Sequence, residues 1–310
     1  MLRVENLTKK YREFKAVDNI TFHVKKGEVV GFLGPNGAGK TTTMKILTCF
    51  LPPTEGTAFI AGMNIYENSL EIRKRIGYLP ENAPLYMDMG VIEYLRYIAE
   101  IRRIPVSQIN QRIKEVTDIC GLGKVFKKDI YELSKGYRQR VGLAQTLIHG
   151  PDILILDEPT SGLDPNQIIE IRNLIKNIGK EKTILLSTHI LPEVEATCNR
   201  VIIINKGKIV AQGTTAELSA GTNAESALVA TFKGAHSATE IESKLKEKNF
   251  VTSFKLIQSQ PNSFRFNIRS QEKEIGEEIF KLAVANRWSL TELFEDRVSL
   301  EEVFRQLTSS

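Results

Sequence analysis

Gly34-Pro-Asn-Gly-Ala-Gly-Lys40-Thr41 has the spacing G-x-x-x-x-G-K-[ST] of a phosphate-binding loop. It follows the apolar run Glu28-Val-Val-Gly-Phe-Leu33 and precedes the helix-like Thr42-Thr-Met-Lys-Ile-Leu47. A strand, a glycine turn and a helix start aim backbone N–H groups and the positive end of a helix dipole at one spot, which suits a polyphosphate. Gly34 and Gly39 can take backbone angles closed to other residues, and with Pro35, Asn36, Gly37 and Ala38 they let the chain wrap a β-phosphate. Lys40 is expected to reach the β- and γ-phosphates, Thr41 to place its hydroxyl on Mg²⁺, and Thr42 to donate to the α-phosphate.

A second chemical element is Asp152-Ile-Leu-Ile-Leu-Asp157-Glu158-Pro159. Four consecutive aliphatics predict a strand buried on both faces of a parallel sheet, and two carboxylates at its C-terminal end stand where open α/β sheets bind ligands. In P-loop proteins this is the Walker B element, so Asp157 is expected to hold Mg²⁺, through water. Glu158, one residue on and aimed differently, is the natural general base for an attacking water.

The elements that must hold these groups need a globular chain, and the composition supplies one. The sequence has 310 residues, 42% hydrophobic and 25% charged, which fits one large or two modest domains and excludes a disordered or fibrous class. A net charge of +5 is compatible with an anionic ligand or a membrane surface, and without a dense Lys/Arg block interleaved with aromatics it does not indicate nucleic acid. Cys49, Cys120 and Cys198 lack metal or redox spacing and read as buried or half-buried thiols in a reducing compartment. The N-terminus lacks a signal-peptide core and no apolar run approaches the roughly 18 residues of a spanning helix, so the expectation is a soluble, cytosolic protein whose membrane part is another chain.

Between the two chemical elements lies Leu133-Ser134-Lys135-Gly136-Tyr137-Arg138-Gln139-Arg140, followed by a helical pattern at Val141, Ala144, Gln145, Leu147 and Ile148. Ser134 is suited to cap that helix, giving a second anion-binding terminus. The order of motifs over residues 1–215 resembles the ATP-binding subunit of an ABC transporter: phosphate loop, a glutamine-type loop at Gly77-Tyr-Leu-Pro-Glu81, the Leu-Ser-x-Gly signature, Walker B, Ser161-Gly-Leu-Asp164-Pro as D-loop, and Ser187-Thr-His189 as switch histidine.

That resemblance implies a P-loop NTPase core of α/β class with ATP and Mg²⁺ as ligands. It implies a head-to-tail dimer, with itself or a paired ABC subunit, in which Ser134 and Gly136 touch the γ-phosphate held by the other copy's Lys40, and Asp164 monitors the opposite site. His189 would contact the γ-phosphate in its own subunit and orient Glu158 or the water; Tyr11 would stack on adenine; Glu81 would approach Mg²⁺. The chain would lie at the inner face of the cell membrane against an integral permease subunit. It departs from the family pattern at Glu81, where a Gln is usual, and in the signature, where Lys135 replaces a glycine and Tyr137 a glutamine. Both departures resemble the ABC-2 exporter branch, and the overall texture is similar to the gliding-motility type.

Long amphipathic patterns in residues 84–135, such as Val91, Tyr94, Leu95 and Ile98, predict a helical subdomain carrying the signature. In the family, the cleft beside Glu81 receives a short helix of the membrane subunit; Tyr86 and Met87 either line that cleft or belong to the core. The first domain is thus expected over residues 1–218, a linker at Ser219-Ala-Gly-Thr-Asn-Ala-Glu225, and a C-terminal α+β domain over 226–310. Within it, Leu228, Ala230 and Phe232 suggest a strand, Ile241 and Leu245 a helix, Phe254 and Leu256 then Phe264, Phe266 and Ile268 two strands, Ile275, Ile279, Leu282 and Ala283 a helix, and Thr291 to Phe294 a last strand. That order makes a ferredoxin-like β-α-β-β-α-β module, read as regulatory or dimer-supporting. The tail has a capping box at Ser299 and Glu302 and an apolar stripe at 300, 303, 304 and 307. The function expected is an ATPase powering export, the other readings being a nucleotide-gated clamp and a non-hydrolysing ATP sensor.

Overall fold

The computed structural model describes residues 1–219, 226–272, 275–295 and 300–308. Runs of aliphatics too short for a helix form its central strands. Every residue of β3 (Val29–Leu33), β7 (Ile153–Asp157) and β8 (Thr183–Thr188) is buried, as a strand with structure on both faces must be. With β6 (Ile76–Leu79), β9 (Arg200–Asn205) and β10 (Lys208–Gly213) they make a six-stranded sheet in the order β10-β9-β3-β8-β7-β6. All neighbours in it run parallel except β10, which returns antiparallel along β9. The crossing from β3 to β8, with β7 and β6 beyond, brings the C-terminal ends of β3, β7 and β8 side by side.

A second, antiparallel sheet pairs β1 (Leu2–Tyr11) with β2 (Phe14–Val24) and with β4 (Glu55–Ile60), and ends on β5 (Met63–Asn64). Between the sheets, Leu7, Ile20, Phe32, Ile155, Leu185 and Ile202 pack with Met44 and Leu47 of helix α1 (Lys40–Leu47) in one buried cluster. Burying a side chain of this size is worth about 1.5–3 kcal/mol. Helix α2 (Ser69–Arg75) precedes β6. The other face of the sheet carries α3 (Val91–Ile101), α4 (Val106–Cys120) and α5 (Lys135–Leu147), whose apolar stripes meet in a second cluster through Val91, Tyr94, Leu95, Ile113, Val116 and Leu143. Gly121 at φ 65° ends α4. Met87 packs against this cluster, whereas Tyr86 is exposed and meets Tyr94 and Tyr97 edge to face. Helices α6 (Pro165–Ile178) and α7 (Leu191–Thr197) complete this part of the chain, and α8 (Thr215–Ser219) follows it.

Contacts divide the chain into Met1–Thr215 with Phe304–Ser310, and Ala216–Val303. The second unit has its own sheet and core. Strand β11 (Ser226–Lys233), helix α9 (Ala238–Lys246), β12 (Ser253–Gln260), β13 (Ser263–Ser270), α10 (Ile275–Ala285) and β14 (Ser289–Glu295) follow in that order, and the antiparallel sheet runs β12-β13-β11-β14. Phe232 packs edge to face on Phe266 and on Trp288, with Ile241, Leu245, Ile279 and Leu282 around them. Val229 and Thr231 are buried too, so β11 is covered more evenly than the alternation at 228, 230 and 232 suggests. Helix α11 (Leu300–Thr308) buries Leu300 and half-buries Val303, Phe304 and Leu307, the expected stripe. Its last turn groups with the first unit, where Asn205 Nδ2 donates to the Leu307 carbonyl at 3.1 Å. Most of the expected linker and the Ser299 cap lie outside the described residues. Among the described residues, no helix is long and apolar enough to cross a membrane.

Candidate functional site

The phosphate loop leaves β3 at Gly34, whose N–H donates to the Thr188 carbonyl at 3.2 Å. A Cβ at Gly34 would stand 2.4 Å from the Ile204 carbonyl oxygen, so only glycine fits. Gly39, at φ 106° and equally tight against the Ala16 oxygen at 2.4 Å, turns the chain into α1. Both sites require what only a residue without a side chain tolerates. Pro35, Asn36, Gly37 and Ala38 complete the loop, with the Ala38 N–H donating to the Pro35 carbonyl at 3.2 Å, and Thr41 and Thr42 sit half-buried in the first turn of α1. Lys40 is buried, its ammonium donating to the Gly34 and Pro35 carbonyls at 2.7 and 3.1 Å and lying 3.2 Å from Glu158 Oε1.

Asp157 ends β7 beside Ser187 of β8, its register partner. The Ser187 hydroxyl donates to Asp157 Oδ1, while Oδ2 is buried without a hydrogen-bond partner. An orphaned carboxylate oxygen in a dry setting is costly, and such a hard oxygen donor fits a Mg²⁺ ion. Among the described residues no cluster of three or more His, Cys, Asp or Glu could hold a metal ion. Burial, and secondarily the Asp157 charge, push the Tyr78 phenol above its ordinary range.

Glu158 follows at φ 48°, an uncommon angle for a residue with a side chain. Its N–H is held by both the carbonyl and the hydroxyl of Ser187, each at 3.1 Å. So anchored, the buried carboxylate meets Lys40 through Oε1 and His189 Nδ1, at 2.9 Å, through Oε2. His189 itself stays 43% exposed, on the loop after β8. The structure therefore joins Lys40, Asp157, Glu158 and His189 in one cluster at the C-terminal ends of β3, β7 and β8.

The remaining predicted residues stand apart from that cluster. Ser134 caps α5, its hydroxyl accepting from the Tyr137 N–H at 3.4 Å. Gly136 lies against Gln167, so closely that a Cβ on it would stand 2.8 Å from that side chain, and the Lys135 ammonium crowds Gly162. Asp164 caps α6 by accepting from the Gln167 N–H at 2.9 Å. The signature thus neighbours the D-loop of its own chain. Glu81 is exposed and accepts from the Ser161 hydroxyl at 3.5 Å. Tyr11, at the β1–β2 hairpin, is 45% exposed with the Lys9 ammonium 5.5 Å from its ring centre.

Behind the cluster the structure adds residues that were not expected at the site. Glu193 of α7 is buried and accepts from the Thr160 hydroxyl at 2.5 Å and the Thr188 hydroxyl at 2.7 Å. Ser187 and Thr188 entered the sequence reading only as the residues before the switch histidine; Glu193 gave no signal, since an acid in a first helical turn is ordinary. Of the cysteines, Cys120 is buried and Cys49 and Cys198 are half-buried.

Residues 17–161 match the ABC transporter family. The chain is 33% identical over 304 residues to the ABC transporter ATP-binding protein YxlF of Bacillus subtilis, covering 98% of each. It is 43% identical over 212 residues to the bacitracin transport ATP-binding protein BcrA of Bacillus licheniformis, covering 68% of each. Among solved structures, it is similar to the dimeric post-hydrolysis state of the ATP-binding cassette MJ0796 bound to ADP and Pi, with a TM-score of 0.63, 25% identity, and coverage of 69% of this chain and 98% of that one.

Proposed function

The chain belongs to the ATP-binding subunits of ABC transporters, and on that footing we propose that it hydrolyses ATP to drive export through a separate membrane chain of the ABC-2 branch. The observation that carries this reading is Glu158, its backbone pinned by Ser187 and its two oxygens shared between Lys40 and His189. A carboxylate so placed accepts a proton from water, and His189 fixes its orientation. When a γ-phosphate takes the Lys40 ammonium, Glu158 gives up one partner and its Oε1 becomes available to the water. Thr41 and Asp157, with Glu81 approaching, would hold Mg²⁺, which would supply neutralising charge at the phosphate oxygens.

Two copies sandwich two nucleotides, each contributing Ser134 and Gly136 to its partner's γ-phosphate, with Asp164 reporting across the seam and Tyr11 against adenine. Closure on ATP and reopening on hydrolysis move the membrane chains. The exposed Tyr86, five residues after Glu81, suits a helix of that permease, at the cytoplasmic face of the membrane. The strand order β12-β13-β11-β14 supports a ferredoxin-like reading of the second unit, which we regard as a dimer-supporting domain. The bacitracin transport relative supports transport as the task, and the sequence texture favours the gliding-motility type of exporter. The test is Mg²⁺-dependent phosphate release by the purified chain, together with recovery of a polytopic membrane protein when the tagged chain is isolated from its own cells. Phosphate release with such a partner is expected; ATP bound but never hydrolysed would make the chain a sensor and refute the reading.

A further inference from the structure

We infer that Glu193 is a positioning residue for hydrolysis, holding Glu158 and His189 in register through the hydroxyls of Thr160 and Thr188. This role presupposes that the site hydrolyses ATP. Glu193 is 2% exposed and its partners are two neutral hydroxyls rather than a cation, one on each carboxylate oxygen. Burying a carboxylate without a counter-charge costs stability even when it is hydrogen-bonded. Apolar packing would serve the fold better, so the arrangement needs another reason.

That reason lies in what the two hydroxyls are attached to. Thr160 is two residues beyond Glu158, and the turn between them is closed by the Ser161 N–H donating to the Glu158 carbonyl at 3.0 Å. The Thr188 oxygen accepts from the Ile190 N–H at 3.0 Å, so the residues on both sides of His189 are tied to it. The Thr188 carbonyl also receives the Gly34 N–H at 3.2 Å, which connects the same loop to the phosphate loop. A threonine hydroxyl has a single proton. Both protons point at Glu193, which leaves the Thr188 lone pair for Ile190 and fixes the sense of every bond in the chain. A carboxylate offers an acceptor on each oxygen, one for each threonine. Glu193 thereby bridges the loops after β7 and β8 from behind, and the bridge sets the spacing across which Glu158 and His189 meet at 2.9 Å. Burial, and after it the neighbouring Glu193, push the Cys198 thiol up to about 12.

Replacing Glu193 by Gln keeps the volume but offers one acceptor and one donor, so one threonine must turn its hydroxyl round. In the full-length chain, Glu193→Gln is expected to lower kcat for Mg²⁺-ATP by about tenfold, the equivalent of about 1.4 kcal/mol, while ADP affinity stays within about twofold because no phosphate contact is lost. Thr160→Val should lower kcat similarly, and the Glu193→Gln/Thr160→Val double variant should be no slower than the slower single, since both break one bridge. A Glu193→Gln chain with unchanged kcat would overturn the role. So would kcat and ADP affinity falling together with the folded fraction, the mark of a merely structural residue, or full additivity in the double variant. If Glu193→Gln does not fold, Thr160→Val alone still decides between these outcomes. A wild-type chain that releases no phosphate fails earlier and identifiably: it refutes the hydrolytic reading itself.

Discussion

Replacing Glu158 by Gln removes the charge of the proposed base and little else. The backbone stays anchored, because it is the main-chain N–H of Glu158, not its side chain, that donates to the Ser187 carbonyl and hydroxyl. The amide keeps the length needed to reach His189 Nδ1, now 2.9 Å from Oε2, and it loses only the ion pair with Lys40 at 3.2 Å. Lys40 retains the Gly34 and Pro35 carbonyls at 2.7 and 3.1 Å, so its ammonium is not left bare. The stability cost should therefore resemble one lost charged hydrogen bond, about 1–3 kcal/mol, and not the larger penalty of an orphaned buried charge. The catalytic cost is larger. A positioned general base contributes about 10²–10⁴ in rate, or about 3–5 kcal/mol of barrier. With saturating Mg²⁺-ATP, phosphate release by Glu158→Gln should fall at least about 100-fold, nucleotide affinity should hold or rise, and light scattering should find a lasting ATP-bound dimer. A variant that hydrolyses within about threefold of wild type, or that loses nucleotide affinity in step with rate, would show that Glu158 is not the base and refute the reasoning.

Gly39→Ala forces a methyl to within 2.4 Å of the Ala16 oxygen at φ 106°, so it should unfold at lower denaturant by about 1–3 kcal/mol and lose nucleotide binding, checked by urea titration with and without Mg²⁺-ADP. His149 provides a pH test. Burial first, then the Arg102 charge, with Arg112 and Lys182 adding to it, hold its imidazole at about 4 against an ordinary 6.5, while Nε2 keeps the Ile76 carbonyl at 3.0 Å. Between those values the unfolded chain binds the extra proton, so the contribution of neutral His149 is present above about pH 6.5 and is lost as pH falls toward 4. Going from pH 7 to 4.5 this loss is about 2 kcal/mol, and His149→Asn should shrink the measured fall in stability by that amount; an unchanged pH slope would refute the assignment.

What could be read without coordinates was whatever chemistry is contiguous. The phosphate loop and the end of β7 each pack their instructions into eight residues, because a glycine turn and a buried strand are set by local backbone freedom and local apolarity. The same holds for the elements of the second unit, whose buried positions at Phe264, Phe266 and Ile268 follow the pleat. Tertiary structure decided what depends on which strands lie together. Only the β3-β8-β7 order brings Lys40 and His189, 149 residues apart, onto the two oxygens of Glu158 and sets Asp157 against Ser187. The grouping of the last turn of α11 with the first unit and the Glu193 bridge were equally invisible, since an amphipathic stripe and a helical glutamate name no partner. Local sequence sets torsions and burial; the pairing of distant hydroxyls with a buried carboxylate is chosen by the packing of the sheet, where the cost of an unsatisfied charge leaves a single arrangement.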